Sequence, residues 1–239
     1  MAFEEIIKKI SAFIASFVVF FLAAGMYLSF KGFVMQENGQ IVLVNHAVAK
    51  EPVERDFKNM RFPENYVLGD EKAPVTIYEY SSLSCTHCAD FHLDVLPKIK
   101  ADYIDKGKVK LIFADLPLDK KAMQASLLAR CFEKDKYYDF LAVVFKKQSK
   151  WLLAPMNRTQ KYLVEYAGLN GMSAEKAEAC MKDERMVEEI ADIRQEGIKK
   201  LKITGTPSFV VVSGDKYEFI EGILKYQGYQ EIFDKMLQK

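Results

Sequence analysis

One stretch constrains this chain more than any other: Val75-Thr76-Ile77-Tyr78-Glu79-Tyr80, then Ser81 to Ser84, then Cys85-Thr86-His87-Cys88. The β-branched and aromatic run, entered through Pro74 and left through serines, predicts a strand. Phe91, Val95, Leu96 and Ile99 recur at helical spacing immediately afterwards. The two cysteines therefore stand where a strand gives way to a helix. Unpaired backbone N–H groups and the positive end of the helix dipole stabilise an anion there. A thiolate is such an anion, and it is both nucleophile and leaving group in disulfide exchange. Cys85 takes that place in this reading. Cys88, one turn on, is near enough to resolve a mixed disulfide and is more buried and less ionised. A charged His87 and the Thr86 hydroxyl would favour the reduced, ionised Cys85.

Other uses of a Cys-x-x-Cys pair fit less well. Haem attachment needs a histidine directly after the second cysteine, where this chain has Ala89. Zinc needs about four ligands, and only His87 and His92 lie near, so no metal is expected. His92 reads as an ordinary helix-surface residue. Glu79, six residues before Cys85, reads either as a solvent-facing strand residue or as a semi-buried carboxylate that relays protons to and from Cys88. Thr204-Gly205-Thr206-Pro207 precedes the strand-like Ser208 to Val212. Pro207 is either a plain loop residue or a cis proline that exposes the Thr206 carbonyl and amide to an extended peptide.

The amino end bears on where such chemistry would occur. Ile10 to Phe30 carries no charge over twenty-one residues, and a helix of that length spans roughly 30 Å, about a hydrocarbon core. It reads as a transmembrane anchor or a signal peptide. Lys8 and Lys9 upstream, against Lys31 downstream, place the amino end in the cytoplasm and the remainder outside it. Disulfides persist outside. The balance of 34 basic against 33 acidic residues argues against a nucleic-acid platform.

Along the chain, residues 1–9 form a cytoplasmic segment, 10–30 the apolar helix and 31–66 a linker with one strand at Ile41 to Val44. Strands follow at 75–80 and 108–116. A block of amphipathic helical patterns runs from 119 to 201, broken near Pro155 and Gly168 to Gly171. A hairpin of Ser208 to Val212 with Tyr217 to Ile220 and a helix from Gln230 to Leu237 close the chain. The class is α/β, a sheet with helices on both faces and a compact helical insertion.

With VTIYEYSSLSCTHC followed by ADF, an acid six residues before the first cysteine, a helical insertion and TGTPSFVVV, residues 67 to 239 resemble the DsbA-type thioredoxin-fold family. The resemblance implies a thioredoxin fold in two parts, 67–118 and 202–239, around an insertion at 119–201. It implies that Cys85 is the exposed nucleophile, Cys88 the resolving thiol, Glu79 a buried acid and Pro207 cis, opposite the active site. It also implies dithiol–disulfide exchange with reduced exported proteins at the periplasmic or extracytoplasmic face. Reoxidation would come from a membrane quinone-linked oxidase, and no bound cofactor is implied. Two departures bear on direction. Thr86 replaces the usual proline of the strongly oxidising members, and Thr206 stands where they often carry valine. An isomerase or reductase is therefore the second reading, and a membrane-tethered chaperone or metal-binding module without turnover the third. Cys131 and Cys180, both in the insertion, are either buried free thiols or, as in some members of the family, a structural disulfide.

Overall fold

The computed structural model describes residues 33–35, 41–43 and 53–238. The 10–30 segment and the chain around it lie outside the described residues. Among those described, no helix is long and apolar enough to cross a membrane. Two short strands, β1 (Phe33–Met35) and β2 (Ile41–Leu43), pair antiparallel with Phe33 opposite Leu43. The one strand expected there thus has a partner, as an isolated strand's N–H and C=O groups require.

From Glu54 onward the chain forms a separate compact unit. After β3 (Val67–Leu68) and β4 (Val75–Ser81), a helical run begins as α1 (Thr86–Asp90) and widens into a π-helical turn at Phe91–Val95. It resumes as α2 (Leu96–Ile99), widens again at Lys100–Ile104 and leads to β5 (Val109–Asp115). Six helices follow: α3 (Lys120–Arg130), α4 (Lys134–Lys146), α5 (Gln148–Leu152), α6 (Met156–Leu169), α7 (Ala174–Cys180) and α8 (Glu184–Leu201). The chain returns through β6 (Ser208–Ser213) and β7 (Lys216–Glu221) to α9 (Tyr226–Leu237).

The sheet order is β3-β5-β4-β6-β7, with β4 and β5 parallel and the other pairs antiparallel. Parallel pairing needs a crossover, which the helical run from α1 supplies. β4 is the middle strand. Its side chains alternate between faces. Val75 and Ile77 pack with Phe91, Phe209, Tyr229 and Phe233 on the side of α1 and α9. Tyr80 packs with Leu201, Ile203 and Val210 on the opposite side. There α8 approaches so closely that a Cβ at Gly197 would lie 2.9 Å from the Tyr80 ring. Glu79 shares the parity of Ile77 and so points into the apolar α1 side.

The insertion has its own core, with Trp151, Tyr137, Phe140 and Leu163 wholly buried, and Leu83 and Cys88 belong to it. The cysteine motif thus lies against the insertion as well as against the sheet. Residues 54–66, expected as linker, instead belong to the folded body. Phe57 stacks on Tyr217 at 5.1 Å, Phe62 on Tyr78 at 4.3 Å, and the Arg55 guanidinium lies 3.8 Å from the Phe219 ring centre. Burial of these apolar side chains keeps the stretch on the sheet. Helix α9 begins at Tyr226, four residues before the expected start.

Candidate active site

Ser81 ends β4, and four residues later Cys85 takes the N-cap position of α1 with an extended backbone (φ −82°, ψ 124°). Its carbonyl accepts from Ala89 N–H at 3.2 Å and from the Gln148 side-chain amide at 2.9 Å. Gln148 also donates to the Leu83 carbonyl at 2.8 Å. A buried side chain of the insertion therefore fixes the turn from which the cysteine projects.

Both cysteines of the motif are free thiols, Cys85 half-buried and Cys88 buried. The Cys85 thiol is pulled down from an ordinary 9.0 to about 5. The leading cause is a hydrogen bond from Cys88. Thr206 and the backbone N–H groups of Cys88 and His87 add to it, against the opposing cost of burial. Cys88 moves the other way. Burial pushes its thiol far up, the hydrogen bond with Cys85 adds to that, and the negative charge of Glu79 adds further, with Ser81 partly opposing. Two thiols one turn apart are thus separated into a ready thiolate and a reluctant one.

The Cys85 sulfur lies 3.3 Å from the carbonyl oxygen of Thr206, and the Thr206–Pro207 peptide bond is cis. Residues 121 positions apart in the chain meet at one sulfur. Thr86 and the His87 ring face solvent, the ring 3.5 Å from Asp90 across one helical turn. Glu79 is fully buried.

His92 corrects the surface assignment. It is buried, and its Nε2 lies 2.9 and 3.1 Å from the two Glu79 carboxylate oxygens. The π-helical turn at 91–95 carries both Phe91 and His92 inward, and a buried carboxylate needs a partner there. His92 and Gln148 are the site residues that sequence reasoning missed. The four-residue spacing of His92 from Cys88 was a usable signal. Gln148 offered none. Cys131 and Cys180 are joined to each other (S–S 2.05 Å), tying the end of α3 to the end of α7. No cluster of three or more potential metal ligands occurs among the described residues.

A central sheet, a dithiol at a strand-to-helix junction, a cis-proline loop against its sulfur and a helical insertion together define a DsbA-like thioredoxin fold. The thioredoxin family profile matches residues 62–235, and the chain belongs to that family, among its DsbA-type members. A Rickettsia bellii protein named as a protein-disulfide oxidoreductase is 30% identical over 171 residues, covering 70% of this chain and 65% of that protein. A Rickettsia typhi protein named likewise is 32% identical, covering 61% of this chain and 53% of its own length. The chain therefore spans less than two thirds of these relatives. Among solved structures, Wolbachia pipientis alpha-DsbA1 superposes with a TM-score of 0.68 at 31% identity, over 75% of this chain and 94% of that one. Oxidised BdbD from Bacillus subtilis superposes at 0.63 and 26% identity, over 73% and 93%.

Proposed function

We propose that this protein is a thiol–disulfide oxidoreductase that introduces disulfides into reduced exported proteins through Cys85-Thr86-His87-Cys88. The observation that carries the reading is the opposite displacement of two neighbouring thiols, Cys85 down to about 5 and Cys88 far up, beneath the Thr206–Pro207 loop. A stabilised reduced form makes the corresponding disulfide a strong oxidant. The name of the Rickettsia relatives, protein-disulfide oxidoreductase, supports the same reaction.

A client thiolate attacks the Cys85 sulfur of the closed Cys85–Cys88 disulfide. The S–S bond breaks, and its electrons leave on Cys88, which takes up a proton. A second client thiolate then attacks the client's own sulfur in the mixed disulfide and expels Cys85 as a thiolate. The client loses two electrons and the pair gains two. A disulfide-bearing oxidant must take them back, and in the proposal it is a membrane quinone-linked oxidase. During that reoxidation Cys88 must give up its proton to attack Cys85. Glu79 is the acceptor, while Thr206 and Pro207 present a backbone edge to the extended client. The closed Cys131–Cys180 disulfide and the uncharged run at 10–30 support a periplasmic or other extracytoplasmic location, with the amino-terminal segment serving as anchor or signal.

The test is oxidation of a reduced secretory protein. Cys88→Ser accumulates a client mixed disulfide on Cys85, and Cys85→Ser forms none and yields no oxidised client. Undiminished client oxidation by Cys85→Ser sinks the proposal. A reduction potential near thioredoxin's, about −270 mV, would reassign the direction to reduction.

A further inference from the structure

We infer that His92 is a positioning residue for proton transfer at Cys88, holding the Glu79 carboxylate as the acceptor of the thiol proton. This deepens the oxidoreductase reading and rests on it. Cys88 and His92 are four residues apart in one helical run, both are buried, and each has a partner on β4, Cys88 with Ser81 and His92 with Glu79. Glu79 reaches up from β4 and is the one carboxylate to which the Nε2 of His92 is hydrogen-bonded. The imidazole has little freedom. It lies 4.4 Å from the Phe145 ring of α4 and 5.9 Å from that of Phe113 on β5, centre to centre, with its neighbour Phe91 edge-on at 5.6 Å.

A fully buried carboxylate would be costly without that partner. With it, Glu79 is held in one orientation, and its charge acts on the Cys88 thiol. Among the described residues, the phenols of Tyr138 on α4 and Tyr229 on α9 also feel Glu79, each pushed up in part by its charge. Neither is a ready proton acceptor, because both are held neutral. The transfer is balanced: Cys88 S–H gives its proton to Glu79, the resulting thiolate attacks Cys85, and the captured partner leaves as a thiolate with the electron pair of the broken S–S bond.

Reduced full-length protein mixed with dithiobis(nitrobenzoate) in stopped flow separates the steps. Cys85 attacks first and releases one coloured thionitrobenzoate. Cys88 then closes the disulfide and releases a second. His92→Leu should slow the second release about tenfold, as expected for losing one charge-assisted hydrogen bond, and leave the first unchanged. The slowed step should also rise more steeply with pH, because hydroxide must replace the oriented carboxylate. His92→Gln, whose amide can donate to the same carboxylate, should stay within about twofold of the native rate. Glu79→Gln combined with His92→Leu should be no slower than Glu79→Gln alone, since His92 acts through Glu79. The inference is overturned if His92→Leu leaves the second release unchanged, if it slows both releases together, or if His92→Gln is as slow as His92→Leu. Ordinary thiol reactivity of Cys85 in the first release would instead sink the oxidoreductase reading itself.

Discussion

The side-chain amide of Gln148, on a short helix of the insertion, donates to the carbonyl of Cys85 at 2.9 Å, sixty-three residues away in the chain. The same nitrogen donates to Leu83 at 2.8 Å. One buried group therefore pins both sides of the turn that carries the Cys85 sulfur, so the insertion holds part of that turn's geometry.

Replacing Gln148 by leucine should be felt in two places. The two carbonyls lose a buried donor, which costs roughly 1–3 kcal/mol and is read as a lower urea midpoint at unchanged m-value. The loosened turn no longer holds the N–H groups of His87 and Cys88 on the sulfur, so the Cys85 thiol should ionise at higher pH. A variant with native stability and native thiol titration would show the clamp to be incidental.

Because the Cys85 thiol titrates at about 5 instead of 9.0, reduced protein should react with iodoacetamide at a rate that is nearly flat above about pH 6 and falls with a midpoint near 5. The linkage sign follows. The folded-state value of Cys85 lies below its unfolded value, so its contribution to the stability of the folded reduced form grows as pH rises from 5 to 9 and is lost as pH falls through 5, whereas the raised Cys88 thiol takes stability away above 9. The oxidised form has no such thiol. The stability difference between reduced and oxidised protein should thus shift toward the reduced form across that window, as paired denaturation curves would measure.

What could be read before the structure follows from range. The strand before Cys85, the helix after it and the turn at Thr206-Pro207 are each written in a handful of consecutive residues, so local patterns suffice. Glu79 could not be assigned to a face because its strand is buried on both sides, and such strands lose the simple alternation of apolar and polar residues. His92 was misassigned for a related reason. A polar residue beside an apolar stripe is ordinarily turned outward, and only its contact with a carboxylate thirteen residues upstream reverses that. Residues 54–66 look linker-like in composition, yet Phe62 finds a ring partner on β4 and Phe57 one on β7, far along the chain. Contacts of that span leave no periodic trace.

Arg130 and Asp115 form a second buried pair, Nε to Oδ2 at 2.8 Å, with both side chains almost wholly covered. Arg130→Met leaves Asp115 buried without its cation, and breaking such a pair from one side costs about 3–5 kcal/mol. Arg130→Met combined with Asp115→Asn should recover part of that loss, because the stranded charge is gone. Chemical denaturation of the two variants checks the order. A single variant as stable as the parent would mean that the pair is solvated in solution.

Removing the Cys131–Cys180 bridge probes whether the insertion and the active site are energetically separate. The bridge closes a loop with a sequence separation of 49, for which the chain-entropy model gives a stabilisation of about 4 kcal/mol. Cys131→Ala with Cys180→Ala should lower the unfolding midpoint accordingly. The disulfide is not among the groups that lower the Cys85 thiol, so thiolate titration of Cys85 in the still-folded variant should be unchanged. Gln148 supplies the route by which that expectation could fail, since it belongs to the same insertion and holds the Cys85 carbonyl. An upward shift of the Cys85 midpoint in the bridge-free protein, restored by adding back the disulfide, would mean that the insertion transmits its own strain to the sulfur through that amide.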